Sequence, residues 1–378
     1  MTSADKASES ADLDHSKRPH EFLVRRDDLH QTEWCPLPDP DSIPLAPGQI
    51  LLVVDTFAFT ANNITYAVFG QMMNYWDFFP AREGWGSVPV WGYSTIARSS
   101  HPELHAGERI YGYMPMSTYF VVEAGNVTPS GFTEISTHRR ELAAFYNVYS
   151  RTAGDPSYDA RHEAEQALFR PLLATGFLID DFLADSDFFG ARSVIVSSAS
   201  SKTSIGLSFC LSQRGRDKVE VVGLTSRSNK AFVEGVGLYH RVVLYDDIAS
   251  LPNTTPTVFV DMAGDSNVTR AIHERFGDAL RYSCSVGGTH WQNLGFGVEV
   301  PGPRPILFFA PGHIARRLED WGGAELNRRV GETWLAFLQR VAGWIEVDRA
   351  RGHDAIERVY RATLDGKADP KRGYVLSF

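Results

Sequence analysis

Ser193-Val194-Ile195-Val196-Ser197-Ser198-Ala199-Ser200-Ser201-Lys202-Thr203-Ser204-Ile205-Gly206 is the stretch whose reading decides the fold. Its first four residues read as a short buried strand, and the pattern from Thr203 to Gln213 is helical. Small polar residues fill the turn between them. A strand, a tight turn and a helix start make a place where a diphosphate binds, because backbone N–H groups and the helix dipole face it. Serine and threonine hydroxyls add donors, and Lys202 adds a positive charge. The glycines usual in such a turn are nearly absent. Only Gly206 stands where a glycine would pack the helix against the strand. The plain alternative is a serine-capped helix start with no ligand.

The pattern repeats on both sides. Residues Leu172 to Leu183 read as a helix before the turn. After it come strands at Val219 to Leu224, Arg241 to Tyr245, Thr257 to Val260 and Tyr282 to Val286. Helices at Lys230 to Gly235 and Val268 to Phe276 are interleaved with them. Short apolar strands alternating with helices predict a parallel sheet covered on both faces, the Rossmann-type α/β architecture. In that architecture the end of the second strand selects the ribose, with Asp or Glu for a 2′-hydroxyl and Arg for a 2′-phosphate. Here the residues are Thr225-Ser226-Arg227-Ser228-Asn229-Lys230, with two cations and no carboxylate. They predict NADP(H) rather than NAD(H). A solvated basic turn is the bland alternative. A second reading takes Ser201-Lys202-Thr203 as a nucleoside-triphosphate loop and Asp261 as its metal-orienting carboxylate. Both glycines of that motif are replaced, by Val196 and Ser201, which counts against it.

The rest of the chain is organised differently. Phe22 to Val127 is rich in short apolar runs and in Gly and Pro turns, which suits a small β-barrel. A long helical pattern covers Glu325 to Trp344, a shorter one His353 to Leu364, and Gly373-Tyr374-Val375-Leu376 is a candidate strand. This last strand is expected to add to the barrel. Residues 1–20 are polar, with no apolar run, and read as an unstructured tail rather than a signal peptide. A net charge of −9 disfavours non-specific nucleic-acid binding. No stretch reaches the ~18 apolar residues of a membrane helix, so no membrane partner is expected and the cytoplasm is the default compartment. Cys35, Cys210 and Cys284 are far apart and suggest neither a disulfide framework nor a zinc knot.

With these motifs in order, the chain resembles the medium-chain dehydrogenase/reductase superfamily, in its zinc-free quinone and enoyl reductase branch. Ala46-Pro47-Gly48-Gln49-Ile50-Leu51-Leu52-Val53 is similar to that family's opening strand. Ala61-Asn62-Asn63-Ile64-Thr65-Tyr66 stands where the family has Asn-Pro-x-Asp. Gly107-Glu108-Arg109-Ile110-Tyr111-Gly112 is similar to its Gly-Asp-x-Val-x-Gly turn, and Val260-Asp261-Met262-Ala263-Gly264 to its Asp-x-x-Gly. The Ser-Ala-Ser-Ser-Lys-Thr turn marks a subgroup. The resemblance implies four regions: the tail at 1–20, the first part of a GroES-like catalytic domain at 21–165, a Rossmann domain at 166–312, and a return to the catalytic domain at 313–378. The zinc branch carries Gly-His-Glu and a cysteine cluster. Val90-Trp91-Gly92-Tyr93-Ser94 stands near that place with neither His nor Cys, and His101 and His105 flank a proline in what reads as a loop.

The resemblance also implies a function. It points to an NADPH-dependent, zinc-independent reductase of a C=C or C=O bond in a carbonyl compound of quinone, enone or enoyl type. Ser198, Ala199, Ser200, Ser201, Lys202, Thr203, Thr225, Ser226, Arg227, Lys230 and Ala263 would hold the cofactor. The catalytic candidates are Tyr75, at the family's tyrosine before a proline, then Tyr66 and its neighbour Asn63. A phenol is protonated at neutral pH and can stabilise an enolate oxygen; aromatic packing is the alternative for each tyrosine. If the aromatics from Phe69 to Trp91 line the site, the small-molecule substrate is apolar or aromatic. Proteins similar to this often pair as dimers, so the resemblance implies a homodimer. Two other classes stay open: an NADP(H)-binding sensor or scaffold without turnover, and a cofactor-free lyase or hydrolase.

Overall fold

The computed structural model describes residues 18–215, 218–287 and 299–378, in two compact units. The first comprises residues up to Arg161 with Asp348–Lys367 and Tyr374–Phe378; the second comprises His162–Val347 with Ala368–Gly373. The expected tail falls outside the described residues except at 18–20, and His20 already opens a strand.

Among the described residues of the first unit, nine strands precede the crossing to the second. They are β1 (His20–Arg25), β2 (Thr32–Pro36), β3 (Gln49–Phe59), β4 (Trp85–Ser87), β5 (Val90–Ser99), β6 (Arg109–Met114), β7 (Tyr119–Thr128), β8 (Gly131–Glu134) and β9 (Val148–Arg151). Helix α1 (Ala61–Val68) follows β3. The order β3-β5-β6-β9-β8-β7 returns to β3, so six antiparallel strands close a barrel. Closure removes the free edges that an open sheet would expose. The eleven-residue β3 serves two partners along its second edge: Gln49–Val53 pair with β7 and Phe57–Phe59 with the chain's last strand. That terminal strand joins the barrel sheet as the sequence predicts.

The second unit holds α2 (Glu163–Asp185), β10 (Ser193–Val196), α3 (Lys202–Gln213), β11 (Glu220–Thr225), α4 (Lys230–Val236), β12 (Arg241–Leu244), β13 (Thr257–Asp261), α5 (Ser266–Phe276), β14 (Leu280–Ser285), β15 (Ile306–Leu307), α6 (Ala310–Trp321) and α7 (Gly323–Val341). The chain ends with β16 (Glu346–Arg351), α8 (His353–Leu364) and β17 (Arg372–Ser377). Among the described residues of the second unit, β10 to β15 form one parallel sheet in the order β12-β11-β10-β13-β14-β15. In order of appearance that is 3-2-1-4-5-6, the Rossmann topology. Among the described residues no helix is long and apolar enough to cross a membrane.

Three features differ from expectation. The return to the first unit comes at Asp348, not near 313. The reason is packing: Trp334, Phe337 and Val341 form a buried stripe on α7, and the Phe337 ring meets Phe169 of α2 and Phe209 of α3, each at 5.2 Å. Helix α2 also begins nine residues before the expected Leu172 and runs through Pro171. Gly206 packs against that helix rather than a strand: a Cβ there would stand 3.1 Å from Leu173 Cα.

Candidate functional site

In the parallel sheet β10 and β13 are neighbours, and the later strands run outward from each in opposite directions. Ligands bind at such a switch point, beyond the carboxyl ends of the two strands. Ser197 follows β10, and Asp261 ends β13. Ser197 Oγ donates to Asp261 Oδ1 at 2.6 Å and accepts from Met262 N at 2.8 Å and Ala263 N at 3.0 Å. The same carboxylate accepts from Ala263 N, Gly264 N and Thr269 Oγ1, all at 3.0 Å. Burial pushes the Asp261 carboxyl up, while these donors favour its charged form. The knot ties the two strand ends together. Ser197 carries no role in the sequence reading; its signal is a serine one residue past an apolar strand, facing an Asp at the end of another.

The turn after β10 can be read donor by donor. Ser197 N donates to Val260 O at 3.0 Å, and Ala199 N to Leu224 O at 2.9 Å. Ser198 is left-handed, with φ of +48°, and its N–H donates to the Tyr245 hydroxyl at 2.9 Å. Ser201 N donates to Ser198 O, and Ser201 caps α3 by accepting from Ser204 N at 3.2 Å. The N–H groups of Ser200, Lys202 and Thr203 have no acceptor among the described residues. They lie at the first turn of α3, where unpaired donors and the helix dipole favour an anion. Ala199 is fully buried, and its carbonyl accepts from Tyr239 Oη at 2.8 Å, so neither its N–H nor its C=O is free. The serine hydroxyls serve the loop itself: Ser200 Oγ accepts from Asn229 Nδ2, and Ser201 Oγ donates to Ser204 Oγ.

Lys202 turns to the carboxyl-terminal segment. Its Nζ donates to Arg372 O at 3.0 Å, and burial pushes its pKa down to about 8. At the end of β11, Thr225 is buried and its hydroxyl has no partner among the described residues. Ser226 Oγ and Ser228 Oγ are 2.9 Å apart. Arg227 is exposed, its guanidinium 3.9 Å from Asp246, and Lys230 stands 3.7 Å from Glu234. Ala263 is buried, and its N–H belongs to the Ser197–Asp261 knot. The donor set suits a dinucleotide with a 2′-phosphate: three free N–H groups, an orphaned buried hydroxyl and two cations.

The catalytic candidates lie in the first unit. Asn63 is the third residue of α1 and closes a capping box. Its Oδ1 accepts from Thr60 N at 2.7 Å and its Nδ2 donates to Pro89 O at 2.8 Å, so both ends of the amide hold the fold. The Tyr66 hydroxyl accepts from Trp91 Nε1 at 3.1 Å, and those of Tyr75 and Tyr146 are 3.2 Å apart. Asn62 and Tyr146 also interact with the Tyr66 hydroxyl. Burial pushes Tyr66, Tyr75 and Tyr146 upward in pKa. The rings pack together, with Tyr66 centred 4.7 Å from Tyr75 and Tyr113 4.6 Å from Tyr146. Tyr75, Trp76, Phe78 and Trp91 are buried, so this aromatic segment builds the unit's interior. Tyr146, 71 residues from Tyr75, carries no signal that sequence spacing could supply.

Residues 57–369 match the model of a family described as "Protein of unknown function (DUF2855)". The chain belongs to this family. No curated protein sequence matches it. Among solved structures it is similar to CurA from Vibrio vulnificus in complex with NADPH, at 12% identity and a TM-score of 0.58, covering 94% of this chain and 98% of that one. It is also similar to the CurK enoyl reductase, at 11% identity and a TM-score of 0.52, with 96% and 99% covered. E. coli K-12 YhdH with bound NADPH matches at 15% identity and a TM-score of 0.51, with 94% and 98% covered. At this distance the likeness concerns the fold. The fold of this chain is therefore like that of these reductases along nearly its whole length.

Proposed function

We propose that this protein is an NADPH-dependent reductase acting on a C=C or C=O bond of a carbonyl compound. The observation that carries the reading is the set of unpaired N–H groups of Ser200, Lys202 and Thr203 at the switch point of a 3-2-1-4-5-6 sheet. Exposed Arg227 and half-buried Lys230, on a stretch from Thr225 to Lys230 that carries no carboxylate, support a 2′-phosphate. The solved structures of like fold that hold NADPH point the same way.

In this reading Ser200, Lys202 and Thr203 bind the diphosphate, and Thr225, Ser226, Arg227 and Lys230 receive the ribose end. NADPH supplies a hydride when bound. The chain supplies the proton, from Tyr75 or Tyr66. Burial keeps both phenols protonated at neutral pH, so each is a hydrogen-bond donor rather than a base.

The test is a fluorescence titration of the protein with NADPH and with NADH. NADPH is expected to bind at least about tenfold tighter, the worth of one charge-assisted contact to the 2′-phosphate. Arg227→Ala should remove most of that difference. Equal or absent affinity for both would overturn the assignment. Once a substrate is found in a panel of quinones and enones, full turnover by both Tyr75→Phe and Tyr66→Phe would exclude the proton donors named here.

A further inference from the structure

The turn that follows β12 begins with Tyr245 and Asp246. Tyr245 is half-buried, and its hydroxyl oxygen accepts the Ser198 N–H at 2.9 Å. Burial pushes that phenol up, with Asp261 and Asp265 adding to the shift, so the group is a neutral hydroxyl. An oxygen lone pair on the first left-handed N–H of a phosphate turn is the contact that a phosphate oxygen would make. One residue further, the Asp246 carboxylate stands 3.9 Å from the Arg227 guanidinium, with both side chains about four-fifths exposed. A single dipeptide therefore sets an oxygen on each end of the donor set: one against the loop and one against the cation at the ribose end.

We propose that Tyr245-Asp246 is an internal stand-in for the phosphates of NADP(H). It occupies the Ser198 N–H and Arg227 in the free chain and yields them when the dinucleotide binds. The inference rests on the NADP(H) reading above and adds a determinant of affinity and of cofactor choice within it. The two halves act differently. Tyr245 covers a donor for the diphosphate, which NADPH and NADH share. Asp246 opposes only the 2′-phosphate, which NADPH alone carries. A state closed by its own hydroxyl lowers apparent affinity by the fraction of molecules that are closed.

The experiment titrates the wild type, Tyr245→Phe and Asp246→Asn with NADPH and with NADH, by ligand fluorescence and by calorimetry. Tyr245→Phe keeps the ring and removes the acceptor. It should tighten both dinucleotides by about threefold to tenfold, the worth of one neutral hydrogen bond, and leave their ratio unchanged. Asp246→Asn should tighten NADPH alone by about twofold to fivefold, and the gain should fade as salt screens the exposed pair. Thermal melts check that the variants fold, and Asp246→Asn, at an exposed position, serves if Tyr245→Phe does not. Weaker or unchanged NADPH binding by Tyr245→Phe, or an unchanged cofactor ratio in Asp246→Asn, would overturn the stand-in and leave the NADP(H) reading intact. No binding of either dinucleotide by any of the three proteins would remove both.

Discussion

The same chemical change, glycine to alanine in a helix, should have different consequences at three positions, because only the surroundings differ. A Cβ on Gly176 of α2 would meet Leu207 N at 2.5 Å, Gly206 C at 2.8 Å and Leu207 Cα at 2.9 Å. All three are backbone atoms of α3 and cannot rotate aside. Carbon contacts are most favourable at about 3.5–4.0 Å, so α2 and α3 must part by roughly 1 Å. Overpacking of that kind costs about 1–3 kcal/mol, and alanine returns up to about 1 kcal/mol in helix propensity. Gly176→Ala should therefore lose about 1–2 kcal/mol net, or roughly 2–8 °C in melting temperature for a unit of this size. At Gly206 the nearest atom, Leu173 Cα, is 3.1 Å away, so a small yield of the neighbour suffices and the net change should lie near zero. Gly331 in α7 has nothing within 4 Å, and Gly331→Ala should gain about 0.4–1 kcal/mol. Urea unfolding followed by tryptophan fluorescence measures all three. NADPH titration adds a second readout, because α3 carries the free N–H groups of Lys202 and Thr203: Gly176→Ala should weaken binding and Gly331→Ala should not. A Gly176→Ala protein as stable as the wild type would refute the close crossing, and with it the account of how α3 is held at the sheet.

Two further outcomes follow from the site. Ser197→Ala removes the 2.6 Å bond to Asp261 and an acceptor of the Met262 and Ala263 N–H groups. A hydrogen bond to a buried charge is worth about 1.5–3 kcal/mol, so a stability loss near 2 kcal/mol is expected in urea, and a loss below about 0.5 kcal/mol would show that the knot is not structural. Lys202 titrates near 8 in the folded chain against 10.5 for an ordinary lysine. Between these values the unfolded chain binds the extra proton, so stability rises as pH climbs through that window. Lys202→Met should flatten this rise in melting temperatures taken from pH 7.5 to 10.5, and an unchanged slope would assign it to other groups.

The architecture was legible because periodicity survives in short windows. The strands at Ser193, Glu220, Arg241, Thr257 and Leu280 lie within two residues of their expected starts, and α8 at His353–Leu364 has its expected bounds. What was hidden depends on partners. The stripe at Trp334, Phe337 and Val341 says that α7 buries a face, yet nothing in it names α2 and α3 as the cover. The two-residue β15 is too short to carry a period. Asn63 reads as a polar side chain beside a candidate tyrosine, and only the fold reveals that its amide is spent on the helix start at Thr60 and on the Pro89 carbonyl.

The phosphate turn sharpens the same point. Its residue types suggest a loop rich in donors, with hydroxyls added to N–H groups. In the fold those hydroxyls build the loop: Ser197 holds Asp261, Ser200 takes Asn229, and Ser201 caps α3. Of the N–H groups, those of Ser197 and Ala199 go to acceptors at Val260 and Leu224, 63 and 25 residues away, and that of Ser198 is held by the Tyr245 hydroxyl until a phosphate replaces it. A glycine-lined turn stays free to wrap a diphosphate and loses backbone entropy on ordering. This serine-lined turn is ordered beforehand by its own side chains. It thus presents a smaller but prearranged set of donors, in which Ser200, Lys202 and Thr203 await an anion and only the contacts of Tyr245 and Asp246 have to give way.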